Sequence, residues 1–169
     1  MSKGFWIFLA LGLAVVGALV FAMFTATKGA HLRLEGKILK VRVLPLGGDA
    51  SLVVLDFRAT NPSNVPFVVN SVTMHLESAT GDVLDGRTAS KTNIENIFQY
   101  EKLLGPKYNP ILSLQDRIPA HQTADLMAGA RFELPEAAIN SRKMIRLRLE
   151  DVDGAAAELP EAPAASSPR

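Results

Sequence analysis

The chain contains no cysteine. That excludes a disulfide framework, a thiolate nucleophile, a cysteine-based zinc site and the acceptor of a bacterial lipid anchor. Histidine is nearly as scarce, with His31, His75 and His121 far apart and none with a ligand-type neighbour at the spacings usual for metal sites. Neither sign of charge dominates: 18 Lys and Arg against 17 Asp and Glu leave a formal net charge of +1. Such a balance creates no global field for nucleic acid or an acidic substrate, and no nucleic-acid partner is expected. Gly-rich phosphate loops, a Gly-x-Ser-x-Gly elbow and a His-Glu-x-x-His pair are also missing. The carboxylates Asp82, Asp85, Asp116, Glu150, Asp151 and Asp153 fall at turns and strand ends, the usual place for solvated charge, and Asp151 with Asp153 lacks the spacing of a calcium loop. The expectation is a non-enzymatic protein with no cofactor and no metal.

What the sequence does contain begins with one long apolar run. Phe5 to Phe24 carries no charge over twenty residues, and at ~1.5 Å per helical residue that length crosses a ~30 Å hydrocarbon core. Phe5, Trp6 and Phe8 stand near one end, and Phe21 and Phe24 near the other, where aromatic side chains meet membrane interfaces. A cleaved secretory signal is the competing reading, with Lys3 as its positive region and Val20-Phe21-Ala22 as its cleavage site. The run exceeds the usual ~7 to 15 apolar residues of a signal, so a retained anchor over residues 1–27 is favoured. Gly12 and Gly17 are five apart and do not form the four-residue ridge of small residues that pairs helices. The flanking cations Lys28, Arg33, Lys37, Lys40 and Arg42 argue for a cytoplasmic domain if counted as topology signals. Most of them fall in an expected strand, however, and the short segment around Lys3 favours an extracytoplasmic domain.

Residues 28–153 read as a chain of short strands. His31 to Leu44 alternates apolar and polar residues with a one-residue slip at Leu39-Lys40, which predicts a bulged strand. Gly47-Gly48-Asp49 turns the chain into a second strand, with Val53, Leu55, Phe57 and Ala59 on one face and Asp56 and Arg58 on the other. Asn61-Pro62 and Pro66 end that pattern, because proline cannot donate to a strand ladder and asparagine accommodates a turn. Val72, Met74 and Leu76 then alternate up to the turn at Thr80-Gly81-Asp82, and a partner strand follows through Arg87. From Thr92 to Leu104 the period becomes helical, with Ile94, Ile97, Phe98 and Leu104 on one face and Thr92 and Glu95 at capping-box spacing. Ala124 to Phe132 and Ile145 to Leu149 alternate as strands on either side of a helical turn at Pro135 to Ile139. About seven strands with a turn every ten or so residues predict a mainly β, immunoglobulin- or fibronectin-like antiparallel sandwich with an inserted short helix, preceded by the membrane span. Residues 154–169, rich in Ala, Pro, Ser and Glu, are expected to be a disordered tail.

The stretch Leu55-Asp56-Phe57-Arg58-Ala59-Thr60-Asn61-Pro62, then Val65-Pro66 and the strand Val72 to Leu76, resembles the late embryogenesis abundant group 2 family, which overlaps the water-stress and hypersensitive-response domain. Ile118-Pro119-Ala120 before a long strand, a short helix and a closing strand follow in the same order. The similarity spans roughly Leu32 to Val152, and the helix from Thr92 departs from it. It implies a membrane-held protective or protein-interaction module of the stress-response kind, with Asn61, Pro62 and Pro66 as a structural motif. Two alternatives stand beside it. One is a binder of lipid or another apolar ligand, with Ile94, Ile97, Phe98 and Leu104 as the contact face. The other is a subunit of an envelope complex that contacts its neighbours through Tyr100, Tyr108 and Gly105 to Leu112.

Overall fold

The computed structural model describes residues 12–22 and 34–161. Residues 12–22 form a helix, α1, all of whose side chains are exposed. The ends of the expected span, residues 5–11 and 23–24, lie outside the described residues. Among those described, no helix is long and apolar enough to cross a membrane.

Eight strands follow among the described residues: β1 (Glu35–Gly47), β2 (Ala50–Thr60), β3 (Phe67–Glu77), β4 (Val83–Thr88), β5 (Arg117–Ile118), β6 (Thr123–Phe132), β7 (Met144–Asp151) and β8 (Ala156–Pro160). Two short helices interrupt them, α2 (Lys91–Tyr100) and α3 (Glu136–Asn140). All strand pairs are antiparallel. Their order is β1-β2-β6-β4-β3-β7-β8, with β5 beside β3. The protein is thus mainly β, but its two layers are one curled sheet: β4 pairs with β3 at one end and with β6 at the other, linking them. A single parallel bridge between Ile38 and Glu161 brings the two outer strands together.

Alternation places the core. Val53, Leu55, Phe57 and Ala59 of β2 face Met74 and Leu76 of β3, Ala128, Ala130 and Phe132 of β6, and Ile145, Leu147 and Leu149 of β7 in one buried cluster. The register of β1 against β2 shifts between Ile38 and Lys40, so Leu39 is the extra, exposed residue of a bulge at the expected slip. Gly86 of β4 lets the Phe132 ring lie against the strand: a Cβ there would stand 2.6 Å from Phe132 Cζ.

Three expectations are corrected. Residues 156–160 are not a disordered tail. They pair with β7, and Leu159 is fully buried in the main cluster. Asp151 is not a solvated carboxylate: it is buried, and its two oxygens accept from the Val68 and Asp153 amides. The outer side of β2, which carries Asp56, is covered as well. The helix is capped by Ser90, whose hydroxyl accepts from the Asn93 amide, rather than by Thr92. It ends at Tyr100, and a separate 3-10 turn spans Lys102–Leu104.

Candidate functional site

Residues 89–116 form an insert that crosses the outer face of β1, β2 and β6. Both of its ends are pinned to strands. Ala89 N donates to Gly129 O at 2.8 Å and Leu112 N to Met127 O at 2.7 Å, while Gln115 N donates to Val69 O at 2.7 Å. Beneath the insert, Ile94, Leu104 and Ile111 join Leu44, Leu52, Val54 and Met127 in a second buried cluster, with Ile97 and Phe98 packed against it. The apolar face made by Ile94, Ile97, Phe98 and Leu104 is therefore brought together as expected but turned onto the sheet. Its period reflects the outer core of the domain, with Ile94 and Leu104 buried and Ile97 and Phe98 partly so.

A buried ion pair fastens the insert. Arg42 Nη2 donates to Asp56 Oδ2 at 2.6 Å, with only 6% and 5% of the two side chains exposed. Arg42 Nη1 donates to Leu104 O at 2.8 Å and Pro106 O at 3.0 Å, capturing carbonyls where the 3-10 turn ends. Asn109 Nδ2 donates to the other oxygen of Asp56 at 3.1 Å. The guanidinium lies 5.1 Å from the Phe98 ring centre and 5.6 Å from that of Tyr108, and Lys40 Nζ is 5.6 Å from Tyr108. Two strands and the insert thus converge on one cation with paired charge and aromatic faces. Arg42 Nε has no hydrogen-bond partner among the described residues. The sequence reading missed this cluster, although Arg42 and Asp56 share the non-core face of a hairpin whose turn it located.

On its outer side the insert exposes large side chains. Tyr100 and Leu103 are each 80% exposed and Tyr108 63%. These include the two tyrosines that the sequence singled out for contact with other proteins, and Leu103 is added to them.

A cleft opens at the neck of the insert. β4 pairs with β3 over Met74 to Glu77 and with β6 only at Ala130 and Arg131, then leaves the sheet after Thr88. Between β3 and β6 this leaves a space of about 650 Å³ bounded by Val72, Ala89, Leu112, Leu114, Ala128 and Gly129, with the first residues of α2 at its edge. Thr88 Oγ1 donates to Val72 O at 2.6 Å across one side.

The Asn61-Pro62 corner lies elsewhere, where β2 leaves the sheet. Asn61 is fully buried. Its Nδ2 donates to Val65 O at 2.9 Å and Ile118 O at 3.0 Å, its Oδ1 accepts from Ser63 N at 3.0 Å, and its own amide donates to Gln122 O at 2.9 Å. Those bonds tie the loop containing Pro62 and Pro66 to the loop before β6. No cluster of three or more potential metal ligands occurs among the described residues. His75 pairs with Asp85 at the surface, and His121 bonds Asn64 at 2.8 Å.

Neither a family model nor a curated protein matches the chain. It is similar in fold to an uncharacterized β-sandwich protein of Clostridium difficile 630, 12% identical, over 77% of this chain and 86% of the other at a TM-score of 0.40. A Bordetella pertussis protein designated ApaA is 14% identical over 78% of this chain and 89% of its own, at 0.37. The Iho670 flagellar-like filament is 10% identical over 95% and 98%, at 0.33. These likenesses are of fold alone.

Proposed function

We propose that the protein is a membrane-anchored, non-enzymatic binding module, similar in kind to the late embryogenesis abundant group 2 proteins, that meets a protein partner through the outer side of its insert. The observation that carries this reading is the pairing of a fixed base with an exposed tip. The sheet commits a buried Arg42–Asp56 pair to hold a segment that then exposes Tyr100, Leu103 and Tyr108 to solvent. Tyrosine and leucine held on a pre-ordered support lose little conformational freedom on binding, which is what a contact surface requires. A stress-protective role and a place in an envelope complex both use such a surface.

Anchoring is supported by the described part of the span. Leu13, Val16, Leu19 and Phe21 of α1 are apolar and exposed among the described residues, as lipid-facing residues would be. The domain is read as extracytoplasmic. Of the cations that argue against this, Arg42 is buried in its ion pair and Lys40 lies over Tyr108, so both serve the fold. The test is a photoreactive amino acid placed at Tyr100, Leu103 or Arg148 in the full chain, expressed in its native membrane. A discrete adduct at the first two positions and none at Arg148 is expected. Equal adducts at all three would remove the insert as the contact surface.

A further inference from the structure

The neck cleft is unused by the reading above and has a distinct chemistry. Its floor is Leu112, Ala128 and Gly129, all buried, and Leu114 stands exposed at the mouth. Its volume lies within the range of small-molecule sites, ~300 to 1,000 Å³. None of its lining residues is acidic, and the one charge among them is Lys91, which makes no ion pair among the described residues. Lys91 begins α2, whose first turn contains no acidic residue. The first intrahelical bond is Ile94 N to Ser90 O, and Ser90 caps Asn93, so the Lys91 and Thr92 amides have no acceptor within the helix. The carboxylates that approach the lining are already engaged: Glu150 accepts from the Ser71 hydroxyl at 3.1 Å, and Asp116 from the Ser113 amide at 2.7 Å.

Asn70, Ser71, Thr88, Ser90, Thr92 and Ser113 also line the cleft, and an apolar floor beside hydroxyls and a single cation suits an anionic amphiphile. We infer that the neck cleft binds a fatty-acid-type amphiphile, with its chain against Val72, Leu112 and Ala128 and its carboxylate at Lys91 and the first turn of α2. The helix terminus adds to the lysine charge, since aligned peptide dipoles favour an anion there. A neutral head could accept a hydrogen bond there but would lack the charge attraction to the lysine and the helix terminus. This inference does not depend on the partner of the insert's outer side. It draws on membrane anchoring only as a nearby source of such molecules.

The test uses the full chain in phosphatidylcholine nanodiscs with three photoreactive probes: a fatty acid, the matching fatty alcohol, and a phosphatidylcholine. Mapping of labelled peptides should find the fatty acid at Val72 and Leu112 to Leu114, with loss of label on adding unlabelled fatty acid. Lys91→Gln, at an exposed position that leaves the core intact, should cut that labelling about tenfold, the loss of one charge-assisted hydrogen bond, and leave the alcohol's labelling unchanged. Leu114→Asp should reduce both. Cleft labelling by phosphatidylcholine but not by the acid would overturn the anionic specificity. Label confined to residues 5–24 with every probe would overturn the cleft and leave the anchor standing. Cleft label by the acid without helix label by phosphatidylcholine would uphold the cleft and overturn the anchor.

Discussion

Arg42 and Asp56 lie diagonally across the β1–β2 hairpin, where the register opposes Lys40 to Asp56 and Arg42 to Val54, and their 2.6 Å ion pair lies beneath the insert. The guanidinium also binds the Leu104 and Pro106 carbonyls, so sheet and insert share one set of bonds. Asp56→Ala removes the countercharge and leaves a cation buried. Urea unfolding should show a loss of about 3 to 5 kcal/mol, with faster amide exchange over residues 98–109. The apolar double replacement Arg42→Met with Asp56→Leu should recover most of the loss, because it leaves no unpaired charge.

Asn61 saturates its side chain with bonds that join two loops. Asn61→Ala leaves the Val65 and Ile118 carbonyls without that donor in a buried setting. The expected cost is about 2 to 4 kcal/mol by denaturant titration. Asn61→Asp should not restore stability, since a carboxylate cannot donate to either carbonyl.

β8 makes the end of the described chain part of the core. Leu159→Ala should destabilise by about 2 to 5 kcal/mol, as expected for a fully buried leucine. If residues 154–169 were a solvated tail, the same change would be silent in a thermal melt.

The elements that the sequence shows best are those whose two faces differ. β7 alternates buried Ile145, Leu147 and Leu149 with basic neighbours, and the β1 bulge at Leu39 appears as a break in phase. β2 was legible only on its core face. Its outer face is buried by an insert whose Asn109 stands 53 residues from Asp56, so no local pattern around Asp56 shows its burial. β8 is hidden because Ala-Ala-Glu-Leu-Pro has the composition of a linker, and one leucine is its whole apolar signal. The cleft has no local signature, since it forms where β3 and β6 diverge. The tyrosines could be named from sequence, whereas their exposure could not.

Arg58 and Asp125 face each other across β2 and β6 with two bonds, 2.6 and 2.7 Å. Hydrogen bonds from Arg58 hold the Asp125 carboxyl below its ordinary value, against a smaller push upward from desolvation. A depressed folded value means that the stabilisation is present above the unfolded pKa, ~3.9, and is lost as pH falls through the folded one. Both side chains are substantially exposed, so the effect is small and screened by salt. The thermal midpoint of Asp125→Asn should lie slightly below that of the parent at neutral pH. The gap should close in strong acid and narrow in high salt.

The absence of cysteine makes one measurement direct. Tyr100→Cys introduces a single thiol at the exposed tip of the insert, and a membrane-impermeant maleimide applied to intact cells reports its side of the membrane. The expected result is rapid labelling without lysis, on a chain that stays in the membrane pellet after alkaline carbonate extraction. Labelling only after lysis would place the domain on the cytoplasmic side, and release of the chain by carbonate would contradict membrane anchoring itself.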